Sequence, residues 1–422
     1  MKRRQFLHAA SASALLAGCA SINGQAKPQV IVIGGGYGGA TAARYIRLWS
    51  DNSIDVTLIE SNPQFISCPL SNLVLGGSRQ IGDLTMSIDA LASKHGVRIV
   101  RALVTSIDAS QRSVTLATGQ TLNYDRLIVS PGVGFLWEQL PGMRKPGAQD
   151  AILHAWKAGP QTTALRAQLE AMPDGGVYAM TIPPAPYRCP PGPYERASQV
   201  AFYFSRHKPK SKVLILDAND DVVSKGPLFK KVWKERYNGI IDYRPSFRTA
   251  DVDAATRTAI SELGDKVQAD VLNVIAPQRA SSIAVQSGLA NVNARWCGVD
   301  FLTFESTQVK NIHVLGDAIA VAPLMPKSAH MANQHAKVCA AAVVDLLSDR
   351  APNANPMLTN TCYSFVSAQD VIHVASVHAY NAEKKTLLVV SGSGGVSSGP
   401  SALEGEYALN WARNIWADTL GS

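Results

Sequence analysis

Gln29-Val-Ile-Val-Ile-Gly34-Gly-Gly36-Tyr-Gly-Gly39 is the stretch whose reading decides the fold. A β-branched run of this kind reads as a buried strand. It breaks into G-x-G-x-x-G at Gly34, Gly36 and Gly39. Ala40 to Leu48 then reads as a helix, and Asp55-Val-Thr-Leu-Ile-Glu60 as a second strand that ends in an acid. Gly34 permits the tight turn and Gly36 lets backbone approach a pyrophosphate. Gly39 lets helix pack on strand, and Glu60 is placed to bond a ribose hydroxyl. A glycine motif alone says little. Strand, glycines, helix, strand and acid in this order predict a Rossmann-type dinucleotide-binding unit.

Two later segments extend that unit. Tyr124-Asp-Arg-Leu-Ile-Val-Ser-Pro-Gly132 has the form of the strand and turn that close the FAD domain in two-dinucleotide flavoproteins. Asn311-Ile-His-Val-Leu-Gly316-Asp317 is an apolar strand ending in Gly-Asp, the place of the aspartate that bonds the ribityl chain in those proteins. A helix is expected from about Ser328 to Leu347, its positive end beside the flavin. The FAD-binding domain is therefore expected at 27–149 and 268–350, with another domain inserted at 150–267 and a C-terminal domain at 351–422. The fold class is α/β: two Rossmann-like dinucleotide-binding domains of the disulfide-oxidoreductase flavoprotein type, plus a C-terminal α+β domain.

The inserted domain opens with the strand Gly176–Ile182, and a helix (Tyr194 to Arg206) and a strand (Lys212–Asp217) follow. Between them, six prolines fall in the twelve residues from Ile182 to Pro193. Proline has no N–H to offer a pyrophosphate, so no NAD(P)H site is expected here. The loop instead carries Cys189, beside a helix N-terminus and Arg188, and both neighbours favour a thiolate. Cys362 lies far away in the chain. In an exported protein the two are candidates to pair, as a structural or a redox disulfide.

The 422 residues are 46% hydrophobic and 17% charged, which suits a soluble chain of two to four domains and excludes disordered or collagen-like classes. No uncharged apolar run reaches membrane-spanning length. Lys and Arg exceed Asp and Glu by 40 to 32, a modest and unclustered excess that gives no argument for nucleic acid. Lys2, Arg3 and Arg4 belong to a start that reads as a twin-arginine export signal over 1–26, which implies a periplasmic protein. Leu15-Leu-Ala-Gly-Cys19-Ala20 resembles a lipobox, so Cys19 is either a lipid anchor or lost on ordinary cleavage. His330 and His335 show no metal-ligand spacing, and no metal is expected. Cys297 and Cys339 read as core residues.

Several segments together resemble the flavin-binding subunit of flavocytochrome c sulfide dehydrogenase across essentially the whole mature chain. They are Phe65-Ile-Ser-Cys68-Pro-Leu-Ser-Asn72, Arg188-Cys-Pro-Pro-Gly-Pro-Tyr-Glu195-Arg-Ala-Ser198, Trp296-Cys-Gly-Val-Asp300, Met325-Pro-Lys327-Ser328 and Asn360-Thr-Cys362-Tyr-Ser364. The resemblance implies FAD joined by a thioether to Cys68 and a redox-active disulfide between Cys189 and Cys362. Glu195, six residues past Cys189, is a candidate proton acceptor or an exposed helix-N-terminal acid stabilised by the dipole, and Lys327 either approaches the flavin or is solvated at the surface. Sulfide would be oxidised to zero-valent sulfur or polysulfide, and electrons would pass singly to a c-type cytochrome subunit. No C-x-x-C-H occurs, so haem is expected on that separate subunit. Its docking is expected near the flexible Ser391–Gly399 stretch and a helix carrying Tyr407, Trp411 and Trp416. Two alternatives stand beside this reading. A sulfide:quinone oxidoreductase would need an apolar C-terminal segment, whereas Glu404, Glu406, Arg413 and Asp418 lie there. A non-catalytic redox-maintenance flavoprotein of a periplasmic thiosulfate-oxidising system is the other.

Overall fold

The computed structural model describes residues 26–421. Arg3, Arg4 and Cys19 of the expected export segment lie outside the described residues. The strand Gln29–Ile33 is central in a five-stranded parallel sheet, ordered Ile312–Val314, Arg126–Val129, Gln29–Ile33, Asp55–Ile59, Arg98–Val100. Burial of Val30 to Ile33 explains the unbroken apolar run, because helices cover parallel sheets on both faces. The strand Ile312–Val314 pairs with Arg126–Val129, so the dinucleotide domain closes across nearly two hundred intervening residues.

The helix Tyr37–Trp49 starts directly after Gly36. A Cβ at Gly39 would lie 1.8 Å from the Gly34 carbonyl oxygen, so helix and glycine turn touch backbone to backbone. The alanine-rich helix Ala329–Leu346 packs along it, capped by Ser328, whose Oγ accepts from Met331 N at 3.0 Å. Asn333 Nδ2 donates to Thr41 Oγ1 at 3.0 Å and to Asp418 Oδ2 at 2.8 Å, which ties both helices to the last one, Ala402–Leu420.

The second parallel sheet runs Ile241–Arg244, Lys212–Asp217, Val177–Ile182, Val271–Val274. Its fourth strand lies past residue 267, so the inserted domain extends through Val274 rather than ending at 267. An antiparallel ribbon of Val133–Phe135 with Gln278–Ala280 links the two domains. The C-terminal part is an antiparallel sheet of Met357–Phe365, Val371–Asn381 and Thr386–Val389, covered by the last helix. The glycine-rich stretch expected to be flexible is tied to this sheet. Gly395 and Val396 pair with Ala375 and Val374, and a Cβ at Gly394 would lie 2.1 Å from Ala375 O.

Two glycines of the opening motif separate packing from ligand space. Gly39→Ala should cost about 3 kcal/mol, the upper range for overpacking. Gly36→Ala should leave urea stability unchanged, because nothing lies within 4 Å of its Cβ position. Equal midpoints for the two variants would contradict the packing account.

Candidate functional site

A cavity of about 910 Å³ opens where the first sheet meets the other two domains, at the carboxyl ends of its strands. Gly34, Gly36, Glu60, Cys68, Gly316 and Asp317 line it. Gly34 takes φ +95°, and a Cβ there would sit 2.4 Å from Ser130 O, so only glycine makes this turn. Glu60 is locked by Gly35 N at 2.6 Å and Asn62 N at 2.7 Å, and a carboxylate keeps lone pairs for a ribose. Asp317 Oδ1 is buried without a hydrogen-bond partner. An orphaned acceptor on the wall of a cavity this size suits the hydroxyls of a long polyol chain. The glycine turn, the acid and the orphaned aspartate therefore fit a flavin dinucleotide.

Two expected cofactor residues stand elsewhere. Gly39 packs helix on strand, as its role requires, and is off the cavity wall. Lys327 is also off the wall. Its Nζ donates to Asp317 O at 2.9 Å and Ile319 O at 2.5 Å, and lies 3.6 Å from the Trp296 ring centre. Burial draws its pKa down to about 7. Lys327 straps the Gly316–Ile319 turn from behind instead of meeting the ligand.

Cys189, Glu195 and Cys362 line the same cavity as Cys68. The topology brings them from three segments: the proline loop, the first turn of the helix Gly192–His207, and the strand Met357–Phe365. All five described cysteines carry free thiols. Cys189 sits in the left-handed region at φ 57°, a strain that clusters at functional sites. Its N–H donates to Lys327 O at 2.8 Å, and a Cβ at Gly192 would crowd its Sγ at 2.9 Å. Ala185, Arg188 and Gly192 likewise commit their N–H groups, to Asn219 Oδ1, Gln278 Oε1 and Cys189 O. The loop thus has few donors left for a phosphate.

The expected thiolate at Cys189 is corrected. Burial pushes the thiol up, and Cys362 and Glu195 add to that, while Arg188 opposes it only weakly. The Arg188 guanidinium points at another sulfur, with Nη1 3.4 Å from Cys68 Sγ. Burial also raises Cys362, opposed first by Lys225 and then by Asn360, whose Nδ2 lies 3.4 Å from its sulfur. Glu195 is 8% exposed and accepts from Asn72 Nδ2 and Phe365 N, each at 2.9 Å. Burial raises its pKa against those bonds.

Sequence reasoning passed over Arg196, Asn72 and Lys225, and weighed His330 only as a metal ligand. Arg196 is 2% exposed. It donates to Asn72 Oδ1 (3.2 Å), His154 O (2.9 Å), Asn273 Oδ1 (2.8 Å) and Ala155 O (2.6 Å). His330 lines the cavity, accepts from Thr361 N at 3.0 Å and is drawn by burial to about 4. Arg196 and Asn72 stood inside quoted motif segments, which was the available signal. The aromatic stripe of the last helix is split. Trp411 lines the cavity and Trp416 Nε1 donates to Tyr37 OH at 3.0 Å, whereas Tyr407 is 51% exposed. Arg196→Met should cost about 3 kcal/mol in urea unfolding, because it strands Asn72 Oδ1 and Ala155 O and removes one of two donors from His154 O and Asn273 Oδ1. A loss below about 1 kcal/mol, the worth of one ordinary hydrogen bond, would contradict that role.

Three family models match: "Pyridine nucleotide-disulphide oxidoreductase" over 28–170, the central domain of the "Sulfide dehydrogenase [flavocytochrome c] flavoprotein chain" over 162–276, and "Flavocytochrome c sulphide dehydrogenase, flavin-binding" over 354–420. The sulfide dehydrogenase flavoprotein chain of Chlorobaculum thiosulfatiphilum is 52% identical over 46 residues, 11% of this chain and 94% of that sequence. The mitochondrial sulfide:quinone oxidoreductase of Dictyostelium discoideum is 24% identical over 300 residues, 68% of this chain. The match spans 65% of that relative's own length, and 24% of the sulfide-quinone reductase of Aquifex aeolicus. The sulfide:quinone oxidoreductase structure from Aquifex aeolicus superposes with a TM-score of 0.75 at 18% identity, covering 94% of this chain and 92% of that one, a likeness of fold. By these matches the chain belongs to the flavoprotein family of the flavocytochrome c sulfide dehydrogenase flavoprotein chain, built on the pyridine nucleotide-disulphide oxidoreductase fold.

Proposed function

We propose that this protein is an FAD-dependent sulfide-oxidising enzyme that works through Cys189 and Cys362 and passes electrons to a c-type cytochrome subunit. One observation carries the reading: both cysteines and Glu195 open into the cavity whose other end is the Gly34–Gly36 turn and Asp317. The free thiols are the reduced form of the pair. In the oxidised form, hydrosulfide attacks one sulfur of the disulfide. The Cys–Cys bond breaks, a new S–S bond leaves a persulfide on one cysteine, and the other departs as thiolate. Glu195 takes up the proton released as sulfur is oxidised, its burial making proton uptake favourable. Bound FAD supplies an acceptor for two electrons that can be handed on singly. Cys68 is the proposed thioether site: it lines the cavity, and Arg188 Nη1 lies 3.4 Å from its sulfur. Asp317 holds the ribityl chain and Glu60 the ribose. The committed N–H groups of the proline loop support a reductant other than NAD(P)H.

The cytochrome acceptor is favoured by the family models over 162–276 and 354–420 and by the face of the last helix. That helix exposes Glu406, Tyr407, Asn410, Arg413 and Asn414, with Leu403 the one large aliphatic side chain exposed on it. No helix among the described residues is long and apolar enough to cross a membrane. Quinone is the second reading, supported by the long alignment with the Dictyostelium oxidoreductase. The export signal proposes a periplasmic location, with Cys19 as a lipid anchor if the lipobox is processed.

Sulfide should reduce cytochrome c in the assembled complex faster than a quinone analogue. Rapid quinone reduction without cytochrome reduction would overturn the acceptor. Cys189→Ser should fall below about one hundredth of the wild-type rate, about 2.7 kcal/mol of lost transition-state stabilisation; unchanged turnover would remove the cysteine pair from the mechanism. Acid-precipitated protein should stay yellow, and Cys68→Ser should release all its FAD under the same treatment. Complete release from the wild type would refute the thioether.

A further inference from the structure

Behind Cys362 lies a buried lysine. Lys225 is 7% exposed and takes the left-handed conformation, φ 57°, immediately before the helix Gly226–Arg236. Its Nζ reaches across to the C-terminal sheet and donates to Cys362 O at 2.9 Å, Ser364 Oγ at 2.7 Å and Ile372 O at 3.3 Å. All three are neutral oxygens, and among the described residues no carboxylate lies within ion-pair distance of it. A buried ammonium without a counter-ion is costly, and proteins keep such groups where an opposite charge arrives.

The charges facing this lysine come from several elements. Cys362 lies on the strand it grips, Glu195 on the helix Gly192–His207, Cys189 on the proline loop, and Glu404 on the last helix. Arg196 and Arg188 face Glu195 and Cys189 as the neighbouring cations. Glu195 and Glu404 have other partners, in Asn72 with Phe365 and in Ser397 with His373. Glu195 is the proposed proton acceptor, so the two thiols are the groups left to carry the charge that hydrosulfide brings.

We propose that Lys225 is a positioning residue of the cysteine pair: its fixed ammonium balances the negative charge that enters beside Cys362 when the disulfide opens, while its bonds to Cys362 O and Ser364 Oγ hold that strand against Cys189. The inference rests on the redox-pair reading above. The charge balance is explicit. Hydrosulfide plus disulfide gives persulfide plus thiolate, so one S–S bond is exchanged for another, no oxidant is consumed, and the single negative charge of hydrosulfide stays in the buried pair. Lys225 holds the Cys362 carbonyl, while Asn360 Nδ2, 3.4 Å from Cys362 Sγ, is the donor to the sulfur itself. Burial draws Lys225 down to about 8, so it is charged at neutral pH and loses its proton as pH rises past that value. Its support for an anion at Cys362 is therefore present below about pH 8 and fades above it.

The test uses the flavin-loaded protein without sulfide, so its failure is distinct from failure of the sulfide reading. Reduced Lys225→Met and Lys225→Gln are alkylated with iodoacetamide across pH, and modification of Cys362 is followed by peptide mass spectrometry. With flavin absorbance retained, the Cys362 midpoint should rise by about one unit, roughly tenfold less thiolate at pH 7. An unmoved midpoint overturns the proposal, because it would leave Lys225 a strand anchor whose charge does nothing for Cys362. If neither neutral variant folds, Lys225→Arg decides. Opening of the wild-type disulfide by a small dithiol should lose pace above about pH 8 relative to Lys225→Arg, whose cation persists. Superimposable pH profiles for arginine variant and wild type also overturn it.

Discussion

The Arg196 guanidinium is the contact on which the site depends. It lies where three parts of the chain meet and satisfies oxygens from each: Asn72 from the dinucleotide domain, His154 and Ala155 from the crossing segment, Asn273 from the second sheet. Asn72 Oδ1 and Ala155 O have Arg196 as their donor, and without it each would carry its own desolvation penalty. The neighbouring residue in the same helical turn, Glu195, reaches the other way to Asn72 and to Phe365 of the C-terminal sheet. Two consecutive side chains thus join all three domains around one cavity. The relative placement of Cys68, Cys189 and Cys362 follows from that junction.

The loop carrying Cys189 keeps a nucleotide-binding architecture while its backbone donors are committed within the protein. Strand, loop, helix and strand persist in the second sheet, with Val177–Ile182 and Lys212–Asp217 paired in parallel. Prolines remove donors from the loop, and the remaining N–H groups are spent on Asn219, Gln278, Lys327 and Cys189 itself. The loop is stiff, and it holds one sulfur in a strained backbone position over Gly192. Lysines brace the site from behind on both sides, Lys327 at the Gly316–Ile319 turn and Lys225 at the Cys362 strand. Neither needs to touch a ligand to fix where the reacting groups stand.

Much of the dinucleotide domain was legible in the sequence because its constraints are local. The turn at Gly34, the close pass at Gly39, the acid at Glu60 and the strand before Gly316 each follow from backbone geometry over a few residues. The strand Val271–Val274 was misassigned because a short apolar run does not announce which of two parallel sheets will take it. Charge state at Cys189 was misjudged for a related reason. A basic neighbour in sequence argues for a thiolate, but burial outweighs it, and Arg188 turns toward Cys68. Arg196 and Lys225 were illegible as hubs, since their partners lie more than forty residues away or on another domain. The burial of these two charged side chains is a property of the assembled fold, and no pattern around them in the sequence encodes it.

The central claim is that Cys189 and Cys362, 173 positions apart in the chain, act on sulfide as one redox pair. Peptide mapping of the air-oxidised protein without reductant tests it most directly. The account predicts a disulfide-linked peptide joining Cys189 to Cys362, replaced by one cysteine bearing a single added sulfur atom after one equivalent of anaerobic sulfide. Recovery of both cysteines as separate, unmodified peptides before and after sulfide would contradict it.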